Sequence, residues 1–425
     1  MGVLKAALCM RFTVLTLSSA LNYLIEDYDT SVSLPGSHVS SSPIGRLLSG
    51  LAKWDSLFFL EIAHNGYLYE KNHAFFPLYP LLIRLGGYFL SPLESLMPKE
   101  DTYLLSALVV SWVSFVLATH YLQKLGEVVF GDKAFSNWSA LLFVFNPASI
   151  FMSSVYTTSL FTFLSLAGIY YLLRKSTWDT TKPGHISLDL SDRVVSTVCF
   201  ACATATRSNG SLLFVFPLYH TLCYLVQLYK AKALSFRVFL KEVVVLGLGG
   251  VIHALPIFLV LGYGYSVYCG KDPSPYCSNL FPNIYSYIQS EYWEVGFMRY
   301  WQLKQIPNFI LPAPILYISL SACVAFTKYD PKRLFTCGLK HSRPISSQFT
   351  QNPLLGSFIF YWAANLFILV FVANVQIATR MLASVPCVYW WISGDLFGKH
   401  RWVLLYFLAY LTVGTALFSN FYPWT

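Results

Sequence analysis

Long apolar runs recur from one end of this chain to the other, and at about 17 to 25 residues each is long enough to cross a bilayer as a helix. The chain is 56% hydrophobic and 12% charged, far from the composition of a soluble globular protein. We therefore predict an all-α polytopic membrane protein with about 11 transmembrane helices. The predicted spans are residues 5–25, 102–122, 135–152, 155–173, 193–208, 211–229, 237–262, 306–326, 354–373, 377–396 and 402–420.

The distribution of charge predicts an orientation. The formal net charge is +9, and Lys and Arg favour the cytoplasmic ends of spans. A cytoplasmic N-terminus places most of them on that side, with a basic loop at 327–353, and turns two long loops, 26–101 and 263–305, to the lumen. This requires the proline-broken segment 75–96 to lie along the lumenal surface as an interfacial helix. We predict one integral membrane domain over 1–425 and find no nucleic-acid motif.

The first lumenal loop holds a carboxylate in apolar surroundings. Asp55 follows Trp54 in "KWDSLFF", and a short helix predicted over 51–64 places apolar side chains and no cation on its face. A carboxylate that loses hydration becomes a better proton acceptor, which fits a general base. A helix cap, or a partner for an arginine elsewhere in the fold, is the alternative. Glu61 and His64 are weaker substrate-binding candidates in the same loop.

Two arginines lie at predicted lumenal helix ends, against the charge bias. They are Arg207 in "ATRSNG" and Arg380 in "QIATRML", and Gln376 precedes Arg380 by one helical turn. The planar guanidinium fork suits a phosphate. The alternative is that each side chain extends to lipid headgroups.

Polar and aromatic residues mark two more lumenal span ends. Asn146 and Tyr156 belong to "NPASIFMSSVYTTS", whose hydroxyls either bind a sugar or satisfy backbone groups freed by Pro147. Arg299 and Trp301 close the second lumenal loop, as an aromatic interface anchor or as substrate contacts.

Cys269 and Cys277 share a polar loop and can form a disulfide if that loop faces an oxidising lumen. We expect the protein to work without a metal. The charged candidates gather on one side of the membrane, whereas a transporter places its site near the midplane. That distribution favours an enzyme that acts on a phosphate-linked lipid and a second, polar substrate, over a lipid or solute transporter.

Five stretches, in order from about residue 50 to about residue 395, resemble the GPI mannosyltransferase 2 family. They are "KWDSLFFLEIAHNGYLYEKNHAFFPLYPL", "NPASIFMSSVYTTSLF", "ATRSNG", "YWEVGFMRYWQLKQIPNF" and "QIATRMLAS". The resemblance implies a GT-C glycosyltransferase fold with lumenal juxtamembrane helices, in the endoplasmic reticulum membrane, with a lumenal active site. GT-C enzymes commonly place an Asp in the first lumenal loop, which corresponds to Asp55.

The implied reaction transfers the second mannose, α1,6-linked, from dolichyl-phosphate-mannose to the mannosyl-glucosaminyl-phosphatidylinositol precursor of GPI anchors. Asp55 would deprotonate the incoming hydroxyl, and Arg380 with Arg207 would stabilise the departing phosphate. Because attack and departure occur on opposite faces, the reaction inverts the anomeric centre. No cofactor is implied beyond the lipid donor, and members from yeasts work with a small accessory membrane subunit. Another GT-C lipid-phosphate-sugar transferase remains the alternative, because acceptor identity rests on the resemblance alone.

Overall fold

The computed structural model describes residues 2–28, 42–175, 188–270, 273–336, 348–352, 354–396 and 401–424. Across these ranges the chain is helical and contains no strand. The α-helices, in chain order, are α1 Val3–Leu24, α2 Pro43–Leu48, α3 Ser56–Asn65, α4 Leu78–Phe89, α5 Lys99–Phe130, α6 Lys133–Val144, α7 Ser149–Ser153, α8 Thr158–Leu173, α9 Leu190–Thr206, α10 Val215–Lys230, α11 Phe236–Tyr268, α12 Ile284–Trp293, α13 Ile306–Ile310, α14 Ala313–Tyr329, α15 Pro331–Phe335, α16 Leu355–Phe371, α17 Ala378–Leu382, α18 Pro386–Trp391 and α19 Trp402–Ser419.

Several of these helices can cross a membrane, and the protein is a multi-pass membrane protein. Five are long and apolar enough: α1, α5, α11, α19 and the continuous run Ser208–Lys230, which ends with α10. A sixth span results if Leu303–Ile310 and α14, which meet at an angle of 74°, count as one broken helix. The apolar helices α8 and α16 have only 16 and 17 residues. The predicted number of about 11 spans is therefore not confirmed.

Three predicted spans are wrong as continuous helices. Over 306–326 the chain forms α13 and α14, separated at Pro312. Over 135–152 the chain forms α6 and then α7, separated at Pro147. Over 377–396 it forms α17, α18 and a π-helix, and Pro386 begins α18. Proline lacks an amide hydrogen and its ring clashes with the preceding helical turn, which explains the three interruptions.

Helix α4 occupies the middle of the segment 75–96. Its 12 residues extend only about 18 Å, against a hydrocarbon thickness of about 30 Å. Tyr79 and Ile83 are buried against the core, whereas Tyr88 and Phe89 are exposed on the other face. The sequence predicted that this segment does not span the membrane, and α4 is indeed too short to cross it as a single helix. Its position on the lumenal surface stays a prediction.

One large core unites both ends of the chain. It draws side chains from α1, α5, α8, α16, α18 and α19; α5 packs along α8, α8 along α9, and α9 along α11. A smaller cluster around Ile284 and Ile288 joins α12 to the first long loop. There, Glu70 accepts hydrogen bonds from the hydroxyls of Ser274, at 2.9 Å, and Tyr292, at 3.3 Å. The two long loops thus form one packed unit.

Candidate active site

Asp55 lies in a tight turn immediately before α3. Trp54 has a φ of 59°, a left-handed conformation that a bulky residue adopts only when its surroundings hold it there. The backbone N–H of Asp55 donates to the Tyr156 hydroxyl at 3.1 Å. The carboxylate makes no cap hydrogen bond to α3, so the helix-cap alternative does not describe it. The helix predicted over 51–64 is wrong at its start, because residues 52–55 precede α3.

The cation facing Asp55 comes from a distant part of the chain. Arg380 Nη1, on α17, donates to Asp55 Oδ2 at 2.9 Å. The guanidinium carbon also lies 5.5 Å from the ring centroid of Tyr156 and 5.6 Å from that of Phe151. The side chains of Asp55 and Arg380 remain 33% and 20% exposed. The pair is therefore accessible to a substrate, and Asp55 does have the arginine partner that the sequence left as an alternative.

Arg207 is held by hydroxyl groups. Its Nε donates to Thr157 Oγ1 at 2.7 Å and its Nη2 to Thr158 Oγ1 at 3.0 Å. Its Nη1 is buried and has no hydrogen-bond partner among the described residues, and no described carboxylate forms an ion pair with it. A buried guanidinium nitrogen without an acceptor is costly unless a ligand supplies one.

The two arginines and the carboxylate form one electrostatic cluster. Arg207 interacts through space with both Arg380 and Asp55. Two cations and one anion leave a net charge of 2 − 1 = +1. A phosphodiester, which carries one negative charge, neutralises this cluster and offers acceptors to the unpaired N–H groups.

The segment from the end of α6 to the start of α8 supports this cluster. Tyr156, Thr157 and Thr158 bind Asp55 or Arg207, as above. Asn146 is fully buried, and its Nδ2 donates to the Phe143 carbonyl at 2.8 Å. The tyrosine and threonine hydroxyls thus bind the charged residues of the site, a role different from both sequence alternatives, while Asn146 does satisfy a backbone group freed at the break.

Comparison with known proteins identifies the family. The family model described as Mannosyltransferase (PIG-V) matches residues 1–425. The chain belongs to this family. Among curated relatives, GPI alpha-1,6-mannosyltransferase 2 of Cricetulus griseus is 30% identical over 100% of this chain and 98% of its own, and the Homo sapiens protein of that name gives the same values. GPI mannosyltransferase 2 of Yarrowia lipolytica is 30% identical over 93% of this chain and 92% of its own.

The resemblance read from the sequence is thus confirmed at the level of the family. Among solved structures, an oligosaccharyltransferase from Archaeoglobus fulgidus aligns with 97% of this chain and 56% of its own, with 11% identity and a TM-score of 0.43.

Several predicted site residues of this mannosyltransferase lie outside the charged cluster. Gln376 accepts from the Tyr300 hydroxyl at 3.1 Å. Arg299 binds the Ser290 hydroxyl at 2.8 Å. Trp301 donates to the Val370 carbonyl at 2.7 Å and stacks on Phe371. The last two are exposed. Trp301 anchors the second long loop to the end of α16, whereas the Arg299 contact stays within that loop.

On α3, Glu61 and His64 point to different neighbours. Glu61 has one carboxylate oxygen buried without a hydrogen bond among the described residues; burial raises the pKa of Glu61, and nearby Lys71 opposes that rise. The His64 ring packs edge-on against Tyr103 of α5. A disulfide joins Cys269 to Cys277 at the end of α11, with 5.5 Å between the Cα atoms. Within the described ranges, no group of three or more His, Cys, Asp or Glu side chains could hold a metal ion.

The structure adds residues that the sequence did not indicate. Lys53 is 2% exposed, binds Asp27 at 2.7 Å and lies 4.5 Å from the ring centroid of Phe421. Burial lowers the pKa of Lys53, and Asp27 opposes that change. Phe421 also packs edge-on against Trp54, and Phe418 packs against Tyr156. Lysine beside Asp55 in an apolar stretch was an available signal, but no pattern connects residue 55 with 418–421.

The second long loop also reaches this cluster. The Tyr285 hydroxyl of α12 and the Ser208 hydroxyl lie 2.7 Å apart in a hydrogen bond. Ser208 follows Arg207 directly, so α12 closes over the segment that carries the arginine. The site is therefore bounded by both long loops, by α17 and by the end of α19.

Proposed function

We propose that this chain transfers the second mannose, α1,6-linked, from dolichyl-phosphate-mannose to the mannosyl-glucosaminyl-phosphatidylinositol precursor of GPI anchors. Full-length similarity to relatives named GPI alpha-1,6-mannosyltransferase 2 supports the substrates. The observation that carries the chemistry is the cluster of Asp55, Arg380 and Arg207. It combines a carboxylate that can act as a base with a net positive charge that can bind a phosphodiester. We place the reaction at the lumenal face of the endoplasmic reticulum membrane, in a GT-C fold.

In this mechanism Asp55 is the general base. Arg380 occupies Oδ2, and the partly exposed carboxylate has further lone pairs for the acceptor hydroxyl. The hydrogen bond from the Asp55 N–H to Tyr156 fixes the backbone, and Arg380 fixes the carboxylate. The mannose hydroxyl gives its proton to Asp55 as its oxygen bonds to the anomeric carbon. The bond from that carbon to the phosphate oxygen breaks on the opposite face, which inverts the centre.

The leaving group is a phosphate monoester, whose charge increases as the bond breaks. Arg207 Nη1 has no other acceptor among the described residues, and a guanidinium has five N–H donors, so one hydrogen bond to Asp55 leaves Arg380 with others for the phosphate. Both cations are already in place before reaction, so little reorganisation is needed. Arg380 then contacts base and leaving group together and sets the distance between them.

Lipid analysis tests this function. Cells that lack the protein should accumulate the precursor with one mannose, and expression of the wild-type chain should remove it. Asp55→Asn should reach the membrane and leave the precursor in place. Glu127→Gln is a matched control, because Glu127 forms a comparable carboxylate–cation pair with Lys124 on α5. Normal lipids in the deficient cells, or a block at another precursor, would contradict the proposal, and rescue by Asp55→Asn would refute the base.

The remaining features rest on the resemblance and stay proposals. The reaction is written with no cofactor other than the lipid donor and with no metal. An accessory membrane subunit is expected where the enzyme comes from a yeast. A transfer assay with the purified chain tests both expectations. Transfer in the presence of a chelator would support a metal-free reaction, and transfer without any second protein would show that no accessory subunit is needed.

A further inference from the structure

Arg11 is a buried cation in the middle of the first membrane-spanning helix. Its side chain is 0% exposed, and no carboxylate among the described residues forms an ion pair with it. An arginine at membrane depth is costly and marks a functional position more often than a packing one. A helix that only packed here would be served by leucine or methionine.

The hydrogen bonds that Arg11 makes to described residues go to the short helix α7. Nη1 donates to the Ser149 carbonyl at 2.9 Å and to Ser153 Oγ at 2.7 Å, and Nη2 donates to Ser149 Oγ at 2.7 Å. The guanidinium also lies 3.7 Å above the centroid of the Phe115 ring. One rigid fork therefore fixes both ends of a five-residue helix that follows the interruption at Pro147.

The residues that follow α7 hold the charged cluster. The Val155 N–H donates to the Leu51 carbonyl at 3.1 Å, just before the Asp55 turn. Tyr156 then binds Asp55, and Thr157 with Thr158 binds Arg207. Within α7 itself, the Phe151 ring faces the guanidinium of Arg380. A shift of α7 would therefore move the supports of all three charged residues together.

We propose that Arg11 is a positioning residue for the transfer reaction, which acts through Ser149 and Ser153 on the turn at residues 155–158. It touches neither Asp55 nor the arginines of the cluster in any contact described above. This proposal rests on the proposed function for its kinetic test. Misplacement of reacting groups by about 1 Å can cost about a hundredfold in rate, so replacing Arg11 should lower kcat by about ten- to a hundredfold.

The kinetic test measures mannose transfer by purified enzyme in detergent with saturating donor and acceptor. Arg11→Met removes the donors with similar apolar bulk, and Arg11→Lys keeps the charge but cannot reach three acceptors at once. We expect Arg11→Met to lower kcat at least tenfold, Arg11→Lys to recover only part of it, and Thr13→Val, on the exposed face of α1, to change nothing. Wild-type kcat in Arg11→Met would overturn the proposal.

A double-mutant comparison separates positioning from general destabilisation. In a Tyr156→Phe background, where the hydroxyl that holds Asp55 is already absent, Arg11→Met should lower kcat by a smaller factor than in the wild type, because the support of Asp55 is already lost and interacting sites are not additive. Equal fold losses in both backgrounds would show that Arg11 acts on overall stability instead. If Arg11→Met does not fold, the pair Ser149→Ala and Ser153→Ala replaces it and carries the same expectation.

Hydrogen exchange provides a readout that does not depend on catalysis. Arg11→Met should increase exchange in residues 149–158 and 51–56 and leave α9 and α11 unchanged. Unchanged exchange in 149–158, or an increase spread evenly through the chain, would overturn the positioning role. A wild-type chain that transfers no mannose would refute the proposed function, and the exchange experiment would still decide the role of Arg11.

Discussion

Asp55→Asn should separate the two tasks of the charged cluster. Asparagine keeps the size of the side chain and an oxygen that can accept from Arg380, so the turn before α3 should persist. It cannot accept the proton of the sugar hydroxyl. Loss of a general base lowers kcat by about 10²- to 10⁴-fold, which corresponds to about 3 to 5 kcal/mol in the activation barrier.

The same substitution should not weaken donor binding. The cluster would change from one net positive charge to two, since Arg207 has no carboxylate partner among the described residues and Arg380 would lose its own. Because Asp55 is 33% exposed, solvent screens the gain to at most about 1 kcal/mol, or about a fivefold lower KM for the phosphate-linked donor.

Steady-state transfer by purified enzyme, with donor concentration varied at saturating acceptor, measures both quantities. Glu127→Gln on α5 should leave kcat and KM as in the wild type. A kcat for Asp55→Asn within tenfold of wild type would rule out Asp55 as the base. A raised donor KM with an unchanged kcat would assign Asp55 only to the placement of Arg380.

Three further outcomes are expected. Arg207→Lys should raise the donor KM about tenfold or more in the same assay, because a single ammonium cannot replace a fork shared between two threonines and a phosphate; an unchanged KM would exclude this phosphate contact. Cys277→Ser should lower the stability of the two packed long loops by about 2 to 3 kcal/mol for a separation of 8 residues, seen as a lower Tm that reductant no longer changes; a Tm equal to that of the wild type would contradict it. Burial lowers the pKa of His73, so below about pH 6.5 the unfolded chain binds more protons than the folded chain and the Tm should fall as the solution is acidified. His73→Gln should reduce this dependence of Tm on pH, and a dependence equal to that of the wild type would contradict the assignment.

The residues of the site could be found from the sequence, but not their pairing. Asp55 and Arg380 each stand out locally, one as a carboxylate among apolar residues and the other as a cation against the charge bias. Their contact spans 325 positions, and no periodicity reports on such a distance. The sequence shows the type of each residue and its neighbours along the chain, whereas its neighbours in space depend on how the helices pack.

The membrane topology shows the same limit. Apolar composition predicted both 135–152 and 377–396 as spans, and each contains a proline whose effect depends on context. In α11, Pro256 lies inside a continuous helix, while Pro147 and Pro386 separate helices. Composition and length therefore locate apolar segments well, but whether a proline interrupts a helix depends on which neighbours satisfy the freed backbone groups.

The final helix has a consequence for biogenesis. Phe421 packs against Trp54 in the turn that carries Asp55, and Phe418 packs against Tyr156, which binds that turn. The Asn420 carbonyl accepts from the Tyr28 N–H at 2.8 Å. A nascent polypeptide inserted helix by helix therefore has no finished catalytic pocket until residues 418–421 leave the ribosome. Completion of the pocket is thus coupled to the packing of α19 on α1 and α7.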